Sequence, residues 1–296
     1  MELRHLRYFL AVGESSSFTK AAAQLRVAQP ALSRQVQDLE DEIGVDLLKR
    51  STHGVTLTAE GRLFLEEARE LLKRTDLSVE KVRELARGES GELRIGYALS
   101  PTAEILPRAL TAFQKAVPRV QMRLHDLSSD ALIMGLRNAT LDLAVTVPPS
   151  GRQAAGIQFE VLRTYPLCVA MTAAHRFARL KSVPLEKVAA EPLIGLGRKD
   201  YSEYYENLER IFAPLRVKPR ITVECDGANS LITEIKSGRG IALTNVMLKL
   251  VAGKRLVYRP LTGTVEAMSV GIARATKGDL TPAGERFCEI LRKTSR

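Results

Sequence analysis

The chain has 296 residues, 45% of them hydrophobic and 26% charged, a soluble globular composition that excludes fibrous and disordered classes and suits two domains. No stretch approaches the roughly 20 uncharged apolar residues of a membrane span, and charges interrupt the opening Met1-Glu2-Leu3-Arg4-His5-Leu6-Arg7, so neither insertion nor export is expected. The formal charge of +10 is unevenly placed: residues 1–90 hold 14 Lys+Arg against 15 Asp+Glu, a net of −1, whereas residues 91–296 hold 30 against 19, a net of +11. A DNA contact by the N-terminal part must therefore rest on a local pattern, and the larger part favours an anionic ligand. Cys168, Cys225 and Cys288 lie at least 57 residues apart, which makes neither a disulfide framework nor a metal pair and fits a reducing cytoplasm.

The first sixty residues read as short helices. Leu3, Leu6, Phe9 or Leu10 and Val12 recur at helical spacing, and the run Gly13 to Ser17 breaks the pattern with hydroxyl caps for the next helix. Phe18, Ala21, Ala22 and Leu25 form one apolar face, with alanines that let another helix approach closely. Pro30 marks the first turn of a third helix starting near Gln29, with Leu32, Val36, Leu39 and Ile43 as its core face. What remains on its first half is Gln29, Pro30, Ser33, Arg34 and Gln37. Arg can donate two hydrogen bonds to guanine, Gln can pair with adenine, and Ser can bond a phosphate. No acidic residue occurs between Ser15 and Gln37, while Asp38, Glu40, Asp41, Glu42 and Asp46 crowd the stretch that follows. Leu47 to Leu57 gives two extended pieces around a basic turn, which looks like a wing. Ser17 and the wing residues Arg50 and His53 complete the candidate DNA-facing set. A helical interaction module is the plainer alternative; the wing and the cleared charge favour DNA.

From Thr58 to about Gly88 a single long helix is expected, about 45 Å at 1.5 Å per residue. Leu65, Ala68, Leu72, Thr75, Val79, Val82 and Ala86 are spaced 3, 4, 3, 4, 3, 4, a heptad seam that predicts dimerisation rather than a solvent-bridging spacer. Leu63, Leu71, Leu77 and Leu85 lie off the seam.

Phe9-Leu10-Ala11-Val12, Ser17-Phe18-Thr19-Lys20-Ala21-Ala22, Gln29-Pro30-Ala31-Leu32-Ser33-Arg34-Gln35, Leu39-Glu40, Gly44-Val45 and Leu57-Thr58-Ala59-Glu60-Gly61 together resemble the DNA-binding domain of LysR-type transcriptional regulators. The part opening with Gly91-Glu92-Leu93-Arg94-Ile95-Gly96 is similar in length and layout to that family's effector domain. The resemblance implies an α+β multidomain chain: a winged helix-turn-helix (1–58), a linker and dimerisation helix (59–88), and a two-lobed α/β effector domain (91–296) resembling type 2 periplasmic binding proteins. Lobe I would comprise about 91–162 and 267–296, and lobe II about 163–266. It further implies a cytoplasmic homodimer or homotetramer on double-stranded promoter DNA with an interrupted palindromic operator, and an aromatic or related carboxylate as small-molecule effector. Ala28 departs from the pattern, standing where many members carry a serine that caps the recognition helix; an alanine cap costs about 0.5–2 kcal/mol.

Beyond residue 91 strand-like and helical runs alternate, which argues for α/β lobes with parallel strands. Strands are expected at Leu93–Ala98, Val120–Leu124 and Leu141–Val147, with Phe159–Met171 carrying the chain into the second lobe and Met268–Ala273 returning it. Ligands of such sheets sit beyond the carboxyl ends of strands. That singles out Ser100, Pro101, Thr102, Ser128, Ser129, Thr146, Arg198 and Asn229 as effector-binding candidates, hydroxyls, amides and one Arg suited to a small carboxylate. Each taken singly is more often a helix cap. Tyr201, Tyr204, Tyr205 and Phe212 are expected to cover the core, and Thr244-Asn245 to occupy a loop.

Enzymatic signatures are absent: there is no G-x-S-x-G, no G-x-G-x-x-G, no Walker loop and no H-E-x-x-H, and the four histidines lack ligand spacing. No catalytic residue, metal or cofactor is expected. A redox sensor using Cys168 or Cys225, a small-molecule binding protein whose N-terminal helices serve protein interaction, and an enzyme with an appended DNA-binding domain are the competing readings.

Overall fold

The computed structural model describes residues 1–51, 54–263 and 266–295. They form two compact units, Met1–Glu84 and a second beginning at Leu85.

In the first unit the apolar spacing folds as three helices. Helix α1 (Leu3–Ser15) buries Leu6, Phe9, Ala11 and Val12. Helix α2 (Phe18–Leu25) starts at Ser17, whose hydroxyl accepts the Lys20 N–H at 3.4 Å, and buries Phe18, Ala21 and Ala22. Helix α3 (Gln29–Ile43) carries Pro30 in its first turn, has no side-chain cap at Ala28, and ends at Gly44 in the left-handed region. Its buried Leu32, Val36 and Leu39 meet Phe9, Val12 and Phe18 in one core, each contributing about 1.5–3 kcal/mol of apolar burial. Strands β1 (Leu48–Ser51) and β2 (Gly54–Leu57) pair antiparallel, with Leu48 opposite Leu57 and Arg50 opposite Val55. Glu40, one of the acidic residues that follow the cleared stretch, is buried. Its carboxylate accepts the Leu47 and Leu48 N–H groups at 2.9 Å each and tethers α3 to the first strand of the wing.

Helix α4 (Ala59–Ala86) follows, its N-terminus capped by the Thr58 hydroxyl, which accepts the Gly61 N–H at 2.8 Å. The heptad expectation needs correcting at its first three positions. Leu65 belongs to the core of the winged unit, and Ala68 and Leu72 pack on Leu6 of α1, so all three are used within the chain. Val79 and Val82 are exposed, and so are Leu63, Leu71, Leu77 and Leu85 off the seam.

The second unit begins with β3 (Ser90–Tyr97), then α5 (Leu99–Thr102), α6 (Ile105–Ala116), β4 (Arg119–Asp126), α7 (Ser129–Arg137), β5 (Leu143–Thr146) and β6 (Ile157–Tyr165). The chain crosses at Pro166 into β7 (Leu167–Met171), α8 (Leu185–Ala189), β8 (Leu193–Leu196), α9 (Ser202–Phe212), β9 (Ile221–Cys225), α10 (Ala228–Lys236), β10 (Ala242–Asn245), α11 (Leu248–Ala252) and β11 (Val257–Pro260). It returns as β12 (Met268–Ala275) and α12 (Pro282–Thr294). The expected run Phe159–Met171 is thus two strands in two sheets, broken where Pro166 removes a ladder N–H.

The expectation of parallel strands holds only in part. Lobe I has strand order β4-β3-β5-β12-β6, in which β3 runs parallel to β4 and β5 while β12 is antiparallel to both its neighbours. In lobe II β10-β7-β11 are antiparallel and β8 is parallel to β9. The returning strand makes the mixture, because it re-enters the first sheet without a helical crossover. It is inserted beside β6 through a bulge at Gly271, where a Cβ would sit 1.9 Å from the Glu160 carbonyl oxygen. Lobe I is centred on Leu93, Ile95, Phe113, Leu143 and Phe287, and lobe II on two clusters around Val169, Phe212 and Ile241 and around Ile194, Ile232 and Leu248.

Candidate functional site

On the winged unit, α3 leaves Gln29, Pro30 and Arg34 exposed and Ser33 half-buried. Among the described residues the side chains of Gln29, Ser33 and Arg34 have no internal hydrogen-bond or ion-pair partner, so the donors and acceptors of this helix start are open to a ligand. The remaining candidates differ. The Gln37 amide donates to Asp41 at 3.1 Å, and its carbonyl accepts from Arg50 at 2.8 Å. The Arg50 guanidinium also bonds Glu40 at 3.2 Å and lies 5.4 Å from the centre of the Phe18 ring. Gln37 and Arg50 therefore brace α3 against the wing, and Ser17 caps α2. His53 lies outside the described residues.

In the second unit a cavity of about 350 Å³ opens beyond the carboxyl ends of β3, β4 and β5 of lobe I and of β8, β9 and β10 of lobe II. Ser100, Pro101, Ser128, Ser129 and Asn229 line it; Thr102, Thr146 and Arg198 do not. The Thr102 hydroxyl donates to the Ala98 carbonyl at 2.7 Å, and Thr146 is buried in its strand. Arg198 stacks on the Tyr205 ring, 4.1 Å from its centre, so no guanidinium converges on the cleft.

Several lining residues were not among the candidates. Tyr201 and Tyr204 face the cavity rather than merely covering the core, whereas Tyr205 and Phe212 are buried as expected. Thr244 and Asn245 end strand β10 instead of occupying a loop, and both line the cavity. Asp126, Glu203 and Asp226 add three carboxyl groups, and no lining residue is Lys or Arg. The +11 balance of residues 91–296 thus resides elsewhere on the unit. A missed signal was available: Asp126 ends β4 and Asp226 follows β9, so the rule that selected Ser128 and Asn229 points to them as well.

Lobe-to-lobe contacts meet at α7 and α9. The Ser129 hydroxyl donates to Glu203 at 2.6 Å, the Asp130 N–H to the Asp200 carbonyl at 3.2 Å, and the Ser202 hydroxyl to Asp130 at 3.1 Å. Burial pushes the Glu203 carboxyl up to about 7, against the lowering effect of the Ser129 hydrogen bond. The Tyr201 phenol donates to the Asp226 carbonyl at 3.0 Å; burial, with the charges of Asp126, Glu203, Asp226 and Asp200, pushes it up to about 12. Burial also pushes the Cys168 thiol up to about 12 and those of Cys225 and Cys288 up to about 11, the opposite of the thiolate that a redox sensor requires.

Among the described residues no group of His, Cys, Asp and Glu could hold a metal ion, and no helix is long and apolar enough to cross a membrane.

Comparison with known proteins agrees with both halves of this architecture. Residues 3–62 match the model of bacterial regulatory helix-turn-helix proteins of the lysR family, and residues 86–296 match that of the LysR substrate binding domain. The HTH-type transcriptional regulator AlsR of Bacillus subtilis (strain 168) is 32% identical over 88% of this chain and 86% of its own. The HTH-type transcriptional regulator BenM of Acinetobacter baylyi is 32% identical over 88% and 86%. Among solved structures, full-length CbnR complexed with its target DNA covers 100% of both chains with a TM-score of 0.82 at 27% identity. A helix-turn-helix with its wing, followed by a two-lobed ligand domain, and family matches that together span nearly the whole chain make this protein a member of the LysR family of DNA-binding transcriptional regulators, not an enzyme.

Proposed function

We propose that this chain acts in the cytoplasm as an oligomer on promoter DNA, that Gln29, Ser33 and Arg34 read the duplex, and that a small carboxylate in the interlobe cavity shifts the geometry of that complex. The observation that carries the DNA reading is the set of unpartnered polar side chains on the first half of α3, beside a stretch from Ser15 to Gln37 that contains no acidic residue. The similar fold of CbnR in complex with DNA supports it. Helix N-termini and hydroxyls, not a basic side chain, would receive the carboxylate: α7 and α10 both start at the cavity wall. The ligand can act only through a difference in its affinity for two lobe or subunit arrangements.

The dimer surface follows from the correction on α4. With Leu65, Ala68 and Leu72 used internally, the exposed Leu63, Leu71, Leu77, Val79, Val82 and Leu85 are the large apolar residues left for a second copy.

Arg34→Ala tests the DNA reading. It is expected to weaken operator binding by about 1–3 kcal/mol and to relax base preference at one position. Unchanged affinity in a salt-controlled mobility-shift assay removes Arg34 from base readout.

A further inference from the structure

The cavity carries three carboxyl groups and no basic side chain, although the unit that contains it is strongly basic. Asp126 and Asp226 have no ion-pair partner among the described residues. Asp126 meets the Leu99 N–H, and Asp226 accepts from the Ser230 hydroxyl. Glu203, 5% exposed, is bonded by Ser129. One hydroxyl of the cavity wall is open to a ligand's polar atoms. Thr244, at the end of β10, is only 9% exposed, lines the cavity, and its side chain has no hydrogen-bond partner. Buried polar groups are ordinarily satisfied, so unsatisfied ones along a cavity wall mark places where a ligand's polar atoms complete them.

A ligand bearing only a carboxylate would be brought beside Asp126 and Asp226 with no counter-charge to separate the like charges. Resting on the reading of this cavity as the ligand site, we infer that the effector is zwitterionic. A protonated amine lies against Asp126 and Asp226, and its carboxylate is turned toward the starts of α7 and α10. The class that combines both charges on one small skeleton is the amino acid. Leu196, Leu231, Leu243 and Met268 offer its side chain an apolar wall. The amine supplies the cation that the cavity lacks, and its three N–H donors match the acceptors on the wall.

Calorimetric titration of the full-length chain at pH 7.5 tests this, using alanine, leucine and phenylalanine, each beside its 2-hydroxy acid and its unsubstituted acid. At least one amino acid is expected to bind ten-fold or more tightly than both of its counterparts, since a site built for a charged donor rejects analogues that lack it. Asp126→Asn and Asp226→Asn are each expected to erase that preference. Failure of every amino acid to bind, equal or tighter binding of the unsubstituted acids, or amino-acid binding unchanged in both variants overturns the inference. In the second case the cavity reading stands, provided that Asn229→Trp and Ser100→Trp, which fill the cavity, abolish binding of the acids. Binding of any of these compounds that survives both tryptophan variants overturns the cavity reading as well.

Discussion

Arg34 and Arg50 are both basic, both exposed and sixteen positions apart, yet their surroundings give them different work. Arg34 has no internal partner, whereas Arg50 is held by Gln37 and Glu40. Arg50→Ala is therefore expected to reduce thermal stability of the winged unit more than base discrimination; a variant with native melting and altered base preference would contradict this. At Glu203 the expectation concerns pH. Its carboxyl lies above its ordinary 4.5, at about 7, so the folded chain holds a proton that the unfolded chain releases, and stability falls as pH rises from about 4.5 to 7. Glu203→Gln removes that dependence and is expected to be more stable than the parent by up to about 3 kcal/mol above pH 7, read from chemical denaturation at pH 5 and pH 8. A variant less stable than the parent at pH 8 would contradict the assignment. Residue types at helix starts were readable from the sequence, because Pro30 and the cleared charge are local signals. The partners of Gln37, Arg50 and Glu40 were not, because they join segments up to thirteen residues apart through a wing whose register only folding sets.

Helix α4 carries two apolar faces that periodicity alone cannot assign to partners. Seven heptad positions were visible, but the first three pack on α1, and a one-dimensional pattern does not distinguish an internal neighbour from a second copy. The two faces make opposite predictions. Leu65→Ala is expected to cost about 2–5 kcal/mol of folding stability with assembly otherwise retained. Val82→Asp is expected to leave the winged unit folded and to shift the sedimentation profile toward monomer; a Val82→Asp chain that sediments as the parent does would contradict the dimer surface. The start of α4 has its own requirement. A Cβ at Gly61 would lie 1.9 Å from the Leu47 carbonyl oxygen, so this turn passes directly over the backbone leading into β1. Gly61→Ala is expected to force the helix and the wing apart at a cost on the order of 3 kcal/mol, with DNA affinity falling alongside the melting temperature. In the second unit the alternation of strands and helices was legible, whereas the antiparallel return of β12 was not, because strand direction depends on which edge the chain re-enters.

For the whole molecule, net charge misled where topology did not. The rule that ligands sit beyond the carboxyl ends of strands located the cavity and five of its eight predicted lining residues, while the +11 total favoured an anionic ligand and the structure lines the cavity with carboxyls and no basic side chain. Formal charge sums a surface, and a cavity samples only the few side chains that converge on it. The latch between α7 and α9, built on Ser129, Asp130, Ser202 and Glu203, borders that cavity, so a ligand entering there acts on the contacts that hold the lobes together. Everything proposed for regulation depends on the winged unit reading DNA in two related copies. The most direct measurement is a footprint of the full-length chain on its own upstream region and on genomic fragments, at two salt concentrations. The expected result is protection of two related half-sites on one face of the duplex, lost steeply as salt rises and weakened by Arg34→Ala. No protected sequence on any fragment, from a chain that sediments as a monomer, would contradict it.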